Sequence, residues 1–368
     1  MCYHPGRNSI FCILPPHILV AIANNGTKQQ RESALRALSI DHSIRTNRLT
    51  FSLTGGLKVP HVETGESATP QKQRTIYDAK HTESLPGQLI RAEGQNPAAD
   101  APVNQAYDGL GDTFDFYLDV YQRNSIDNKG LPLKASVHYG QDYDNAFWNG
   151  QQMVFGDGDN QIFTGFTGCL EVIGHELTHG VTGSEANLNY QGQSGALNES
   201  ISDVFGSLVK QKKLNQTAAQ ADWLIGEGLL VEGIHGVALR SMKAPGTAYD
   251  DPTLGKDPQP ADMAHYLQTT EDNGGVHTNS GIPNHAFYLA AASIGGFAWE
   301  KAGQIWYDTL LDPRLKATAN FAAFANLTAL NAAHRYGVNS DERKAVLDAW
   351  KKVGVKISAR MAVAGVVT

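Results

Sequence analysis

Two histidines four positions apart, His175 and His179 in "VIGHELTHGVT", constrain the fold of this chain more than any other feature. On a helix, side chains at i and i+4 project from one face, so both imidazoles can reach one zinc ion at ~2.0–2.1 Å. Glu176 points about 100° further round the helix, beside the metal, where a carboxylate can take a proton from water. The alternative is a helix with two ordinary histidines, because a five-residue pattern also arises by chance.

The stretch "SGALNESISDVFG", Ser194 to Gly206, supplies a candidate for the third ligand that a catalytic zinc requires. Helical spacing places Glu199 and Asp203 on one face, so Glu199 can complete a His-His-Glu ligand set. Asp203 can then accept the spare ring N–H of a ligating histidine and fix its orientation, and we place Asn198 in a similar supporting role. Taken alone, Glu199 would be an exposed helical glutamate.

The composition is that of a globular protein and excludes several function classes. A length of 368 residues allows two domains, each with its own core, and 41% hydrophobic with 18% charged residues is ordinary. The formal net charge of −7, without any basic cluster, argues against a nucleic-acid partner. The three cysteines form neither a disulfide framework nor a Cys-x-x-Cys zinc site.

The N-terminal stretch "IFCILPPHILVAIA", Ile10 to Ala23, is apolar but is interrupted by Pro15 and Pro16. It is too short for a membrane span, which needs about 18 or more apolar residues. It also lacks the unbroken apolar centre and the cleavage pattern of a secretory signal. We therefore expect no membrane partner and no convincing cleaved signal peptide.

The organisation along the chain predicts an α+β fold with three parts. Residues 1–55 have the features of a short pro-segment: Lys28 to Arg45 has helical spacing, with Ala34, Leu35, Leu38 and Ile40 on one side. A Gly-, Pro- and Thr-rich linker follows, to about residue 73. Residues 74–190 are predicted to form an α+β domain and residues 191–368 a mainly helical one, with the active-site cleft between them. The alternative for the first part is an N-terminal extension without a regulatory role.

Five stretches, two of them discussed above, carry a resemblance to a known family. From Thr75 to Val355, in family order, the chain contains "YDNAFWNGQQMVFGDGD", "GHELTHGVT", "GALNESISDVFG", "LRSM" and "DNGGVHTNSG". In these it resembles the thermolysin-like neutral metalloproteases of the M4 family, and among them the protealysin-like members with a short propeptide. The metzincins, the other class with this histidine pattern, would need Gly and His where this chain has Thr182 and Glu185.

The resemblance implies a zinc endopeptidase made as a zymogen, with the pro-segment as its own inhibitor. His175, His179 and Glu199 would be the zinc ligands, and Glu176 the general base and proton shuttle. Tyr190 and His277 would donate hydrogen bonds to the oxyanion, and Asp272 would orient His277. Arg240 would bind the substrate carbonyl. Asn145 and Ala146 would form the edge that pairs with the substrate backbone. Read without the family, His277 and Arg240 would be structural residues.

The resemblance also implies a main specificity pocket that is apolar throughout. The matching positions are Phe163, Phe166, Val172, Ile225, Leu229 and Leu239. An apolar pocket predicts cleavage on the N-terminal side of bulky hydrophobic residues. Each of these residues would otherwise be read as an ordinary member of the core.

The chain departs from the pattern where thermolysin binds calcium through a cluster of carboxylates. The matching positions here are Glu171, Lys210, Asp222, Leu224 and Glu227. Because calcium prefers six to eight oxygen ligands, a lysine and a leucine at these positions predict that the double calcium site is absent. We expect the Lys210 ammonium to replace calcium by pairing with neighbouring carboxylates.

Two other features have alternative interpretations. "GDGDN", Gly156 to Asn160, resembles a calcium loop, but Gln161 and Ile162 break the EF-hand order and favour a tight turn. Cys12 could reach the zinc as an inhibitory thiolate; obstruction of the cleft by Pro15, Pro16 and adjacent apolar residues is the favoured alternative.

Two rival functions remain at this level: a catalytically dead binding protein on the same scaffold, and a purely structural pair of helices that binds no metal. Intact Glu176, Tyr190, His277 and Asp272 count against the first. Family resemblance favours an extracellular enzyme acting on protein or peptide substrates, although the N-terminus leaves cytoplasmic accumulation open.

Overall fold

A computed structural model describes the backbone of residues 11–53 and 69–358, and the side chains of residues 12–42 and 69–358. Most of the predicted linker, and Cys2, lie outside these ranges. The helices are α1 (Pro16–Asn25), α2 (Lys28–Leu53), α3 (Ala101–Tyr121), α4 (Leu170–Ser184), α5 (Gly192–Leu214), α6 (Asp272–Asn279), α7 (Gly281–Ile294), α8 (Ala302–Leu310), α9 (Phe321–Tyr336) and α10 (Asp341–Lys352). The strands are β1 (Phe11–Cys12), β2 (Arg74–Asp78), β3 (Gln88–Ala92), β4 (Leu133–Val137), β5 (Ala146–Trp148), β6 (Met153–Phe155), β7 (Leu224–Ile225), β8 (Arg240–Ser241), β9 (Asp250–Asp251) and β10 (Gly255–Lys256).

A six-stranded mixed sheet forms the front half, in the order β1-β5-β6-β4-β2-β3. The central strands β6, β4 and β2 run parallel, and β5, β1 and β3 are added antiparallel at the two sides. Strand β6 is buried throughout, and only Lys134 of β4 is exposed. Successive residues of a strand point to opposite faces, so the burial of all three residues of β6 shows that both faces of this part of the sheet are covered.

The back half is mainly helical, and the predicted α+β fold class is confirmed. Helix α10 begins at Ser340, whose side chain accepts a hydrogen bond from the Arg343 amide, and it ends in Lys351 and Lys352. Acidic residues at its start and basic residues at its end complement the helix dipole. Long loops with two short hairpins fill the chain between α5 and α6. Within the described residues no helix combines the length and the apolar character needed to cross a membrane.

The N-terminal segment packs on the rest of the chain through two antiparallel helices. Ile18, Leu19 and Ile22 of α1 are buried. Helix α2 extends to Leu53 rather than Arg45, since no glycine or proline occurs before Gly55. The expected apolar side of α2 is partly wrong. Leu35 is 58% exposed, whereas Ala34 and Ala37 are buried.

Candidate metal centre and cleft

Two glycines allow helices α4 and α5 to cross closely enough to build one site. A Cβ atom on Gly206 of α5 would lie 2.4 Å from the Glu171 carbonyl oxygen of α4. A Cβ atom on Gly174 would lie 3.0 Å from the Gly206 Cα. Because neither glycine has a side chain, the backbones meet, and the residues one or two turns from the crossing face each other across the gap.

His175, His179 and Glu199 converge at this crossing, and each residue is at most 1% exposed. The two Nε2 atoms are 3.0 Å apart, and the Glu199 carboxylate oxygens lie 3.6 Å from His175 Nε2 and 3.5 Å from His179 Nε2. Tetrahedral zinc with ligand bonds of ~2.0–2.1 Å requires ligand atoms about 3.3 Å apart. Glu199 Oε2 is buried and has no hydrogen-bond partner among the described residues. The three residues therefore fit a zinc ion.

The ring nitrogens on the far side of both histidines are held in place. His175 Nδ1 lies 2.8 Å from Asp203 Oδ1, and His179 Nδ1 lies 2.8 Å from Asn198 Oδ1. With these contacts the Nε2 atoms face Glu199. Burial, and then the neighbouring His175, lower the pKa of His179 well below its ordinary value, so this ring is neutral and able to bind a metal.

Asp203 is fully buried and joins three residues through four hydrogen bonds. Besides His175, it accepts hydrogen bonds from Arg240 Nε and Nη2, at 2.9 and 2.8 Å, and from Asn284 Nδ2 at 2.8 Å. Burial alone would raise the pKa of Asp203, but Arg240 and His175 hold it below its ordinary range. Asp203 is therefore a fixed negative charge that orients His175 and Arg240 together.

Glu176 lies beside the three candidate ligands and is fully buried. Its Oε2 accepts a hydrogen bond from the Trp148 amide at 3.0 Å, while Oε1 has no partner among the described residues. Burial and the nearby Glu199 carboxylate raise the pKa of Glu176 well above its ordinary value. One oxygen of this carboxyl group is thus anchored and the other is available to a ligand in the cleft.

Tyr190 and His277 lie next to each other, beside the Glu199 carboxylate. The Tyr190 hydroxyl donates to Glu199 Oε1 and lies 3.2 Å from His277 Nε2. His277 Nδ1 is 2.8 Å from Asp272 Oδ1, and the His277 amide donates to Asp272 Oδ2 at 2.9 Å. Burial lowers the pKa of His277, but Asp272 and then Glu199 raise it above its ordinary value. The structure therefore brings the two expected oxyanion donors and the orienting carboxylate together.

The N-terminal segment occupies the cleft in an extended conformation. Strand β1 pairs antiparallel with β5, and the Ile13 amide donates to the Ala146 carbonyl oxygen at 3.2 Å. The next amide, from Leu14, donates to Asn145 Oδ1 at 3.0 Å. Asn145 and Ala146 therefore pair with an extended backbone, as expected of the edge that receives a substrate.

Two carbonyl oxygens of this segment contact predicted site residues. His277 Nε2 lies 3.0 Å from the Cys12 carbonyl oxygen, and Arg240 Nη1 donates to the Ile13 carbonyl oxygen at 2.9 Å. The Cys12 thiol does not belong to the metal-ligand cluster formed by the described residues. Within that part of the chain, Cys12 meets the site through its backbone.

The six predicted pocket residues are at most 1% exposed, but they are not a random sample of the core. Five of them belong to adjoining segments: the Leu239 amide donates to the Ile225 carbonyl, the Thr164 amide donates to the Leu229 carbonyl, and the rings of Phe163 and Phe166 are 6.0 Å apart. Val172 lies on α4 one turn before Glu176. The sixth residue thus lies on the helix that carries Glu176 and the two histidines.

Lys210 on α5 contacts all three carboxylates at the positions matched to the calcium site. Its Nζ lies 2.8 Å from Asp222, 2.7 Å from Glu227 and 3.8 Å from Glu171. Glu171 is 2% exposed and also accepts hydrogen bonds from the Gly226 and Glu227 amides. Burial lowers the pKa of Lys210, but Glu171 and its other carboxylate neighbours raise it above its ordinary value. The ammonium therefore stays charged.

Sequence reasoning did not identify two groups that support this site. The Trp148 amide holds Glu176, and Asn284 on α7 holds Asp203. Trp148 lies in the "NAFW" stretch already noted, and its place two residues after Ala146 on the same strand was an available signal. Asn284 had none, because only the packing of α7 on α5 brings it to Asp203.

Comparison with known proteins gives consistent matches. The family models described as "Thermolysin metallopeptidase, catalytic domain" and "Thermolysin metallopeptidase, alpha-helical domain" match residues 45–183 and 186–355. The "Extracellular metalloprotease" of Pectobacterium carotovorum subsp. carotovorum is 54% identical over 349 residues, which are 95% of this chain and 97% of the relative. "Protease PrtS" of Photorhabdus sp. (strain Az29) is 48% identical over 353 residues, 95% of this chain and 94% of the relative. The solved structure "Precursor of Protealysin, Metalloproteinase from Serratia proteamaculans" superposes with a TM-score of 0.85 at 55% identity, over 94% of this chain and 100% of that one.

Proposed function

Because this chain belongs to the thermolysin family and is a zinc-dependent metalloendopeptidase, we propose that it cuts peptide bonds on the N-terminal side of bulky hydrophobic residues. When bound, zinc supplies a Lewis acid for the carbonyl group and lowers the pKa of water. His175, His179 and Glu199 would hold it. The remaining chemistry belongs to the side chains around these three ligands.

The way the cleft holds its own N-terminal segment carries this proposal. His277 contacts the carbonyl of Cys12, and Arg240 binds the carbonyl of the next residue, Ile13. A peptide bond after Cys12 would therefore lie at the position where cleavage occurs, with Ile13 as the residue after the bond. Ile13 is 0% exposed, so a large apolar side chain at this position is fully enclosed.

The side chains divide the proton transfers and the charge stabilisation between them. Glu176 removes a proton from the attacking water and delivers it to the leaving amine, with its other oxygen held by the Trp148 amide. Tyr190 and His277 donate hydrogen bonds to the oxyanion that develops on the substrate. One donor of this kind typically contributes ~2.7–4 kcal/mol. Arg240, anchored by Asp203, binds the next carbonyl and sets the register of the substrate.

Specificity can be measured with peptides that differ only in the residue after the cut bond. With Leu or Phe at that position, kcat/KM is expected to be roughly tenfold or more above that with Ala, because each missing methylene group in an apolar pocket costs about 1–3 kcal/mol. Asp at that position should prevent cleavage there. Equal kcat/KM for the Leu and Asp peptides, with cut sites verified by mass spectrometry, would contradict the assignment. Peptides varied three residues further along serve as the control.

We also propose that residues 1–55 form a pro-segment that inhibits the enzyme until it is removed. Its backbone occupies the substrate edge, and Asp41 of α2, 3% exposed, accepts hydrogen bonds from Tyr143 at 2.6 Å and from Asn145 at 3.0 Å. His17 lies 2.9 Å from the Tyr249 hydroxyl, and burial lowers the pKa of His17 to about 4. A segment with these contacts excludes a substrate from the cleft.

Lys210 provides an internal cation, and we propose that it replaces the double calcium site. Substitution of Lys210 by Met should leave Glu171, Asp222 and Glu227 without their partner. Removing one member of a fully buried ion pair costs about 3–5 kcal/mol. Since Asp222 and Glu227 are partly exposed, solvent reduces the loss to about 2 kcal/mol, which is a fall of several degrees in Tm.

Millimolar calcium should recover part of this loss in Lys210→Met and leave the unsubstituted chain unchanged. Lys212→Met is the matched control, because Lys212 on the same helix is exposed and 3.9 Å from its nearest carboxylate. A large fall in Tm when calcium alone is chelated from the unsubstituted, zinc-saturated protein would refute the replacement.

We place the enzyme outside the cell, because a relative at 54% identity is named an extracellular metalloprotease. N-terminal sequencing of active protein from the medium and from cells tests whether the enzyme is exported and identifies the bond that is cut to remove the pro-segment.

A further inference from the structure

A second group of metal-ligating side chains lies apart from the site described above. His81, His138 and Asp157 each present one ligand atom, and these three atoms lie within 4.8 Å of one another. His81 follows the end of β2 by three residues, His138 follows β4 directly, and Asp157 follows β6 by two residues. Since β6, β4 and β2 are adjacent and parallel, their carboxyl ends meet at one edge of the sheet. The topology thus brings together three residues that are distant in sequence.

We propose that these three residues bind a second divalent transition-metal ion, for which zinc is the probe. Asp157 lies 2.9 Å from His138 Nδ1 and 3.4 Å from His81 Nδ1. In the catalytic set of the same structure the corresponding separations are 3.0, 3.5 and 3.6 Å. Tetrahedral zinc calls for about 3.3 Å. The two imidazole–carboxylate separations of the second cluster therefore lie on either side of this value, and its two imidazole nitrogens lie within 4.8 Å of each other.

Asp100 supports His138 in the way that Asp203 supports His175. Asp100 Oδ2 lies 2.9 Å from His138 Nε2, on the side of the ring away from the cluster. A carboxylate that accepts the second ring N–H of a ligating histidine selects the tautomer whose other nitrogen faces the metal. With Nε2–H directed to Asp100, His138 Nδ1 is directed to Asp157 and His81.

Backbone hydrogen bonds fix each of the three ligand-bearing loops. The His81 amide donates to the His138 carbonyl oxygen at 2.8 Å. The glycines on either side of Asp157 donate to the carbonyl oxygens of Asn145 and Tyr143. His81 and His138 have φ angles of 57° and 54°, which non-glycine residues adopt only when their surroundings hold them there. The ligands are thus largely arranged before any ion binds.

The ligand types select the ion. Two imidazoles and one carboxylate suit zinc and neighbouring transition metals, whereas calcium requires more oxygen ligands. The His81 side chain is 54% exposed and Asp157 29%, so an ion can enter from solvent. The alternative is that these three side chains are held together by ion pairing alone, without a metal ion. In that state Asp157 and Asp100 each pair with one ring nitrogen of His138, and an ion must take the place of the contact with Asp157. We therefore expect weaker binding here than at the catalytic site.

Zinc stoichiometry of the full chain tests the proposal. After equilibration with excess zinc at pH 8 and desalting, elemental analysis should give two zinc ions per chain, and one for His81→Ala and for His138→Gln. His265→Ala is the matched control, because His265 also pairs with an aspartate, Asp262, at 2.8 Å but belongs to no three-ligand group among the residues that the structure describes; it should retain two. Asp100→Asn should weaken the second site by 10–100-fold while keeping the stoichiometry at saturation.

One zinc ion per unsubstituted chain, or two in His81→Ala, would overturn the proposal. Because His81 is exposed, its substitution keeps the test valid even if His138→Gln does not fold. Retention of calcium in place of the second zinc ion would overturn the choice of metal. Peptidase activity requires only the zinc ion at the catalytic site. An active enzyme with a single zinc ion per chain would therefore refute this inference and leave the proposed function standing.

Discussion

Glu176→Gln is expected to retain zinc, while its kcat/KM falls by about 10²–10⁴-fold, the range that a positioned general base contributes. Glutamine has the same shape, and its amide oxygen can still accept the hydrogen bond from the Trp148 amide, at 3.0 Å in this structure. It cannot take up a proton. Because His175, His179 and Glu199 are unchanged, the metal site should stay intact while proton transfer fails. A fluorogenic peptide assay and elemental zinc analysis on the same preparation measure both effects.

The control for this prediction is Glu232→Gln, which makes the same chemical change at an exposed position. It should preserve both zinc and turnover. Normal turnover by a folded, zinc-loaded Glu176→Gln protein would refute the assigned base. Loss of zinc from that variant would show that Glu176 supports the metal ligands rather than the proton transfer.

Asp41→Ala is expected to raise the initial peptidase activity of the full chain about thirtyfold and to shorten the lag before full activity. Asp41 lies in the segment predicted to be removed, so the mature enzyme should be unaltered. The change takes a charged acceptor from Tyr143 and Asn145. Hydrogen bonds to charged groups contribute about 1.5–3 kcal/mol. A net loss of about 2 kcal/mol shifts the closed-to-open ratio of the cleft roughly thirtyfold.

Glu32→Ala is the matched control, since Glu32 is an exposed carboxylate on the same helix, with 56% of its side chain accessible. The initial rate of freshly purified, full-length Asp41→Ala should exceed that of Glu32→Ala and that of the unsubstituted chain. The latter two rates should be equal. Equal rates for all three would contradict an inhibitory pro-segment held by Asp41. The specific activity of the processed product verifies that each variant folded.

Local spacing in the sequence was sufficient for the parts of the site that one helix carries. His175 and His179 share a face because they are one turn apart, and Glu199 and Asp203 share a face for the same reason. The structure places these two pairs opposite each other, as the metal hypothesis requires. The apolar side of α2 was less well predicted: Leu35 is exposed and Ala37 is buried. The close packing of α2 favours small side chains, which hydrophobicity alone does not reveal.

Groupings that cross between elements were decided by the tertiary structure alone. The α4–α5 crossing depends on Gly174 and Gly206. The sequence does not show which helical glycine lies at a helix crossing, because that depends on which helix packs against it. His81 and His138 carried no signal in the sequence, and Asp157 carried only that of the "GDGDN" turn. The three residues meet only because three parallel strands end at one edge of the sheet.

From its residues, then, this chain indicated the histidine pair, a candidate third ligand and the α+β class, because each depends on residue type at short spacing. The expected loss of calcium ligands came from the family resemblance instead. The tertiary structure decided which carbonyls occupy the cleft, which residue anchors Arg240 and where a second set of ligands converges. These contacts join distant parts of the chain, and their geometry follows from packing rather than from local sequence.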